Sequence, residues 1–128
     1  MVRTPFVGPR GSVWAIDVPT SRTERVRGAR GRSWPSPRHG MLFERCRSVH
    51  TFGMRFPISI VGLDGELVVV FIKALEPRRV LLPRVRVRHI VECRVDADVR
   101  LGDRFEPLAP PERRRGEAPS TLRRVRRG

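Results

Sequence analysis

The chain has 128 residues, with 27 Lys plus Arg against 13 Asp plus Glu and a formal charge of +14 at pH 7. This length supports one hydrophobic core and leaves no room for two independent domains. A hydrophobic share of 39% is too high for a wholly disordered chain, and no apolar run approaches the roughly 18 residues of a membrane-spanning helix.

Residues 1–18 carry positive charge but no unbroken apolar stretch followed by a small-residue cleavage site, so no secretory signal is read and the cytoplasm is the expected compartment. The run VWAIDV over 13–18 reads as a first strand. Thr20 or Ser21 can cap a short helix over 20–27, with Glu24 in the first turn where the helix dipole favours an acid. Pro35 and Pro37 forbid its continuation. A second strand falls at 41–46. Residues 57–63 and 66–75 are two β-rich runs separated by Asp64-Gly65, a dipeptide favoured in two-residue hairpins because both residues tolerate positive φ. Residues 67–72 are apolar on both faces, as in a central strand covered from both sides.

Over 85–95 the pattern has a period of two. Val85, Val87, His89, Val91, Cys93 and Val95 share one face, and Arg86, Arg88, Ile90, Glu92 and Arg94 share the other. This predicts a strand with His89 and Cys93 packed inside and the Arg face outward. Gly102-Asp103 turns the chain into a last short strand at 104–107. Many short strands against one short helix predict an all-β domain over 10–107, a small barrel or two-sheet sandwich with flexible basic termini.

Most of the charge excess sits at the ends: residues 1–41 are net +6 and residues 107–128 net +5, against +3 for 42–106. Residues 108–128 combine prolines, few large apolar side chains and two clusters, Arg113, Arg114, Arg115 and Arg123, Arg124, Arg126, Arg127. Such a segment buries too little to order itself and reads as a disordered tail. Clustered arginines attract polyanions through counterion release, so weak, sequence-independent nucleic-acid binding is one expectation. Against it, no aromatic residue is interleaved to stack on bases. All but one of the basic residues are Arg, a bias that a GC-rich genome produces through codon usage alone.

Cys46 and Cys93 form no CxxC pair and are expected as reduced, buried thiols. With His50 and His89 they make a nominal zinc set. Residues four apart on a strand lie about 13 Å apart, however, so neither Cys46 with His50 nor His89 with Cys93 chelates one ion, and no metal or other cofactor is expected. The polar-aromatic run 48–55 is the stronger candidate. Gly53 permits a sharp turn that lets His50 and Arg55 face one concavity, where a carboxylate such as Glu92 would complete a site able to bind an anion or move a proton. The ligand-binding candidates are therefore His50, Thr51, Arg55 and Glu92. The plainer alternative is that His50 and Thr51 satisfy loop backbone groups, while Phe52, Met54 and Phe56 anchor the core.

The run RCRSVHTFGMRFPISIVGLDGELV over 45–68, preceded by an Arg-rich stretch ending at Gly28 and followed by Glu92 and Gly102-Asp103, resembles the signature of a bacterial and archaeal family, domain of unknown function 192. The resemblance implies a compact β-rich fold and brings no established activity, ligand or catalytic residue. The chain departs from the family pattern twice. Ser59 stands where members commonly place an acid, two positions after the motif's proline. The connection from Glu92 to Gly102 is also shorter than is usual. If the family acts through a carboxylate pair, half of it is missing here. The resulting expectation is a non-enzymatic ligand-binding or accessory module of unknown ligand. The alternatives are nucleic-acid binding through the Arg-rich ends and a hydrolytic or transfer enzyme using His50 and Glu92.

Overall fold

The structure is a computed structural model that describes residues 1–27, 34–51 and 54–108. In chain order its strands are β1 (Val2–Val7), β2 (Val13–Val18), β3 (His39–Phe43), β4 (Val49–His50), β5 (Ile58–Leu63), β6 (Val69–Leu75), β7 (Val80–Leu81), β8 (His89–Cys93) and β9 (Glu106–Pro107). One short helix, α1 (Arg22–Arg27), lies between β2 and β3, and a 3-10 turn covers Pro9–Gly11. Seven strands form one sheet in the order β6-β5-β8-β3-β2-β1-β9, while β4 and β7 pair separately. The sheet is antiparallel except where β2 runs parallel to β3.

The two ends of the large sheet meet. Val68 bridges Arg104, the Phe105 amide donates to the Leu67 carbonyl at 3.1 Å, and the Val69 amide donates to the Asp103 carbonyl at 2.7 Å. Immediately afterwards β9 pairs with β1. Residues 102–107 thus stitch the start of β6 to β1, and the sheet curls into a barrel closed along part of its length. Closure requires a tight reversal before β9, which Gly102 supplies at φ 89°.

Strand alternation sends one set of side chains into the barrel and another outward. Phe6, Trp14, Ile16, Leu63, Val91 and Phe105 belong to the inner cluster. Trp14 and Phe105 meet edge to face there, with ring centroids 5.2 Å apart. Gly8 permits this packing, since a Cβ at that position would lie 2.6 Å from the indole Cδ1. Outside, Met41, Ile58, Ile60 and Ile90 pack beneath a second layer that contributes Leu81 and Val87, with the half-buried Val49 against them. Strands β3, β5 and β8 are therefore buried on both faces.

Several sequence expectations change. Residues 2–7, outside the expected 10–107 domain, form β1 and pair with β2 along their whole length. The 41–46 strand shifts to His39–Phe43. The 57–75 hairpin forms, but with residues 64–68 as its connection. Asp64 Oδ1 accepts from the amides of Glu66 and Val68 at 2.8 and 3.0 Å, and the positive φ falls at Leu67. Leu67 is fully buried, so the longer turn delivers a side chain to the core that a two-residue turn would have left outside. Strand β6 is an end strand rather than a central one, and Lys73 and Ala74 are exposed.

The 85–95 strand contracts to His89–Cys93, and Val85 and Val95 are exposed. His89 and Cys93 are buried, and Arg86 and Arg88 are exposed, as the alternation indicates. Met54 and Phe56 are half-buried against the outer cluster rather than fully in the core. Phe52 and the Arg clusters at 113–115 and 123–127 lie outside the described residues.

Candidate functional site

Glu92 occupies the middle of β8, opposite Met41 of β3 on one side and Ile60 of β5 on the other. Both neighbours belong to the outer cluster, so alternation points Glu92 at the covering layer that contains β4 and β7. The sequence places this residue on an exposed Arg face. Instead it is only 4% exposed, because the layer folds back over that face. Among the described residues its carboxyl makes no hydrogen bond or ion pair, and burial alone pushes its pKa up to about 8. At neutral pH it is a neutral acid, able to donate through its O–H.

Thr51, immediately after β4, is fully buried. Its hydroxyl donates to the Glu76 carbonyl at 2.6 Å and accepts from the Arg79 amide at 2.8 Å. Its own amide donates to the Arg79 carbonyl at 2.8 Å, and its carbonyl accepts from the Arg78 amide at 3.2 Å. Thr51 is thus a latch that holds residues 76–79 against β4, which is the backbone-satisfying role. His50, paired with Val80 in the two-stranded sheet, is exposed, as is Arg55. The four candidates therefore divide. Thr51 and His50 belong to the covering layer, Arg55 to the surface and Glu92 to the sheet beneath, and no hydrogen bond joins His50 to Glu92.

The cysteines and histidines separate across the same sheet. His89 and Cys93 share a face with the barrel interior, where the Arg45 amide donates to His89 Nδ1 at 3.0 Å. Cys46 packs on the outer cluster. Both cysteines are free thiols. Burial raises the pKa of Cys46 and pushes that of Cys93 up to about 12, so neither is poised as a thiolate. Among the described residues no group of three or more His, Cys, Asp or Glu side chains comes together to hold a metal.

Two features escaped the sequence reading. Asp17 and His39 are both buried. Arg3 Nε donates to Asp17 Oδ1 at 2.9 Å, and His39 Nε2 lies 3.2 Å from Asp17 Oδ2. Burial pulls the Asp17 carboxyl upward, but the hydrogen bonds from Arg3 and His39 outweigh it and hold it below its ordinary pKa. The available signal was an Asp inside the otherwise apolar VWAIDV strand. The second is Glu44, half-buried just past β3, whose Oε2 has no hydrogen-bond partner and whose pKa is raised by burial. A separate cleft of about 420 Å³, lined by Arg10, Trp14, Arg38 and Asp98 among others, lies at the barrel end. Arg10 there is paired with Asp98 and Asp103 at 3.1 and 3.3 Å.

Fold and site together define a small, partly closed β-barrel with a buried, unpaired carboxyl beneath an Arg-rich outer layer. The chain belongs to the domain of unknown function 192 family (DUF192), described as an uncharacterized ACR, whose family model matches residues 6–104. It is 30% identical over 73 residues to the UPF0127 protein PH1112 of Pyrococcus horikoshii, a match that covers 52% of this chain and 64% of that protein. Among solved structures it resembles a Sinorhizobium meliloti protein described as a candidate transcription regulator, with TM-score 0.66, 20% identity, and coverage of 82% of this chain and 92% of that one. A protein of unknown function from Novosphingobium aromaticivorans superposes with TM-score 0.68 at 15% identity, covering 81% and 84% of the two chains. Among the described residues no helix is long and apolar enough to cross a membrane.

Proposed function

We propose that this chain is a non-enzymatic binding module for a small anionic ligand, taken on the outer face of the sheet above Glu92. The observation that carries the reading is the buried Glu92 carboxyl, protonated at neutral pH and without a partner of its own. A neutral acid of this kind donates a hydrogen bond to an anion without repelling it. Charge of the right sign flanks β4 in the chain, where Arg45, Arg47 and Arg55 are exposed. Arg45 and Arg47 belong to the stretch that leads into β4.

The enzymatic alternative has less support. It needs His50 and Glu92 to exchange a proton, and they are not hydrogen-bonded. The hydroxyl of Thr51 is committed to residues 76 and 79, and both thiols are held protonated by burial. The likeness to a candidate transcription regulator, at 20% identity, adds a fold and no role.

The test begins with native mass spectrometry of the chain purified gently from its own host, followed by titration of the co-purifying small anion across pH. Binding should weaken as pH rises past about 8. Glu92→Gln should keep binding but lose that pH dependence, and Glu92→Leu should lose binding. A ligand held equally well by Glu92→Leu would refute the site.

A further inference from the structure

The turn between β7 and β8 exposes a run of side chains that a folded protein ordinarily hides. Leu82 is 72% exposed and Val85 83%, while Val80, on β7 itself, is 55% exposed. Buried Leu81 and Val87 pin the two sides of the turn into the outer cluster. The turn is built rather than loose. The Val87 amide donates to the Arg84 carbonyl at 3.2 Å, and Arg88 Nη1 donates to the Val85 carbonyl at 2.8 Å. Arg47 reaches across to the Arg84 carbonyl at 3.1 Å, and the Arg84 guanidinium lies 4.8 Å from the centre of the Phe71 ring. Leu82 and Val85 are therefore held at an ordered tip.

The turn and the segment leading into it carry exposed arginines: Arg78, Arg79, Arg84, Arg86 and Arg88. Over 77–88 there is no acidic residue. The ion pairs of the described residues lie elsewhere, among residues 1–39 and 94–106, and none neutralises these five arginines. Along 78–88, exposed aliphatic side chains thus share a segment with arginines that none of these ion pairs neutralises.

We propose that the 78–88 turn docks on the surface of an anionic lipid bilayer, with Leu82 and Val85 entering the headgroup boundary and the exposed arginines of the same segment meeting lipid phosphates. Aliphatic burial and electrostatic attraction to anionic headgroups add in this arrangement. Charge complementarity alone would also suit nucleic acid, but a phosphate backbone gives no return for exposed Leu and Val, whereas a bilayer does. This inference does not depend on the Glu92 ligand.

The experiment uses the full chain with vesicles of phosphatidylcholine alone or with 30% phosphatidylglycerol, and with duplex DNA as competitor. Sedimentation should show binding to the anionic vesicles only. The double variant L82S/V85S should weaken it about tenfold or more, and each of R79Q and R86Q about fivefold. Because these side chains are exposed, circular dichroism and melting should match the parent. L82W supplies a direct reading. The native Trp14 and Trp34 are only 2% and 6% exposed, so an emission blue shift on anionic vesicles reports the tip. No blue shift, or anionic-vesicle binding that L82S/V85S leaves unchanged, would overturn the proposal. So would a surface in which the Arg substitutions weaken DNA binding and leave vesicle binding untouched.

Discussion

Ser59 and Glu92 lie on adjacent strands and point to opposite faces of the sheet. Ser59 is paired with Cys93 and Glu92 with Ile60, so Ser59 shares the inner face with Cys93, to which its side chain is hydrogen-bonded. An acid at position 59 would enter the barrel and would not stand beside Glu92. The carboxylate pair that the family pattern raises as a possibility has no common pocket in this fold. Ser59→Asp should accordingly bury a carboxyl in the inner core, on the face opposite Glu92. A loss of several kcal/mol that grows with pH is the expected outcome in denaturant melts.

Glu92 makes stability fall with pH. Its folded pKa of about 8 exceeds the ordinary 4.5, so between those values the folded chain binds more protons than the unfolded one. Stability contributed by this group is fully present below about 4.5 and is lost as pH rises through about 8. The loss is on the order of 5 kcal/mol as an upper bound. Glu92→Gln should remove the dependence, so that variant and parent have similar stability near pH 5 and the variant is the more stable near pH 9. Urea midpoints at the two pH values check this.

Thr51 holds the covering layer by bonds that a methyl group cannot replace. Thr51→Val keeps the shape and leaves the Glu76 carbonyl and Arg79 amide without their partner. That should cost about 1–3 kcal/mol. Thr51→Ser should recover most of it. Since the contacts are local, amide exchange at Arg79 should accelerate more in the Val variant than exchange in β8.

Aromatic truncations should rank by burial. Phe105 is 1% exposed, packs on Trp14 and sits on the segment that closes the barrel, so Phe105→Ala should cost about 3–5 kcal/mol. Phe56 is half-buried, and Phe56→Ala should cost clearly less. Denaturant melts giving the reverse order would contradict the placement of the two clusters.

The central motif illustrates what could be read in advance. The 57–75 hairpin, the strand at 13–18 and the buried side chains of His89 and Cys93 were legible because alternation and turn chemistry are local properties of the chain. The candidate list was legible by residue type, since His50, Thr51, Arg55 and Glu92 are polar residues in or beside apolar runs. Their roles were not. Thr51 became a latch because residues 76–79 return to it, a contact across 25–28 positions.

By itself the sequence determined an all-β chain and the shared inner face of His89, Val91 and Cys93, because a period of two records which residues share a face. Only the tertiary structure decided which faces are covered. The outer face of β8 alternates with arginines and reads as exposed, yet an outer cluster that draws on Trp34, Leu81 and Val87 packs on it, and Glu92 is buried in a medium that favours its neutral form. The sheet likewise reads as open until residues 102–107 join β6 to β1. Both outcomes depend on segments remote in sequence, whose apolar side chains gain more by burial against the sheet than the local pattern of either segment reveals.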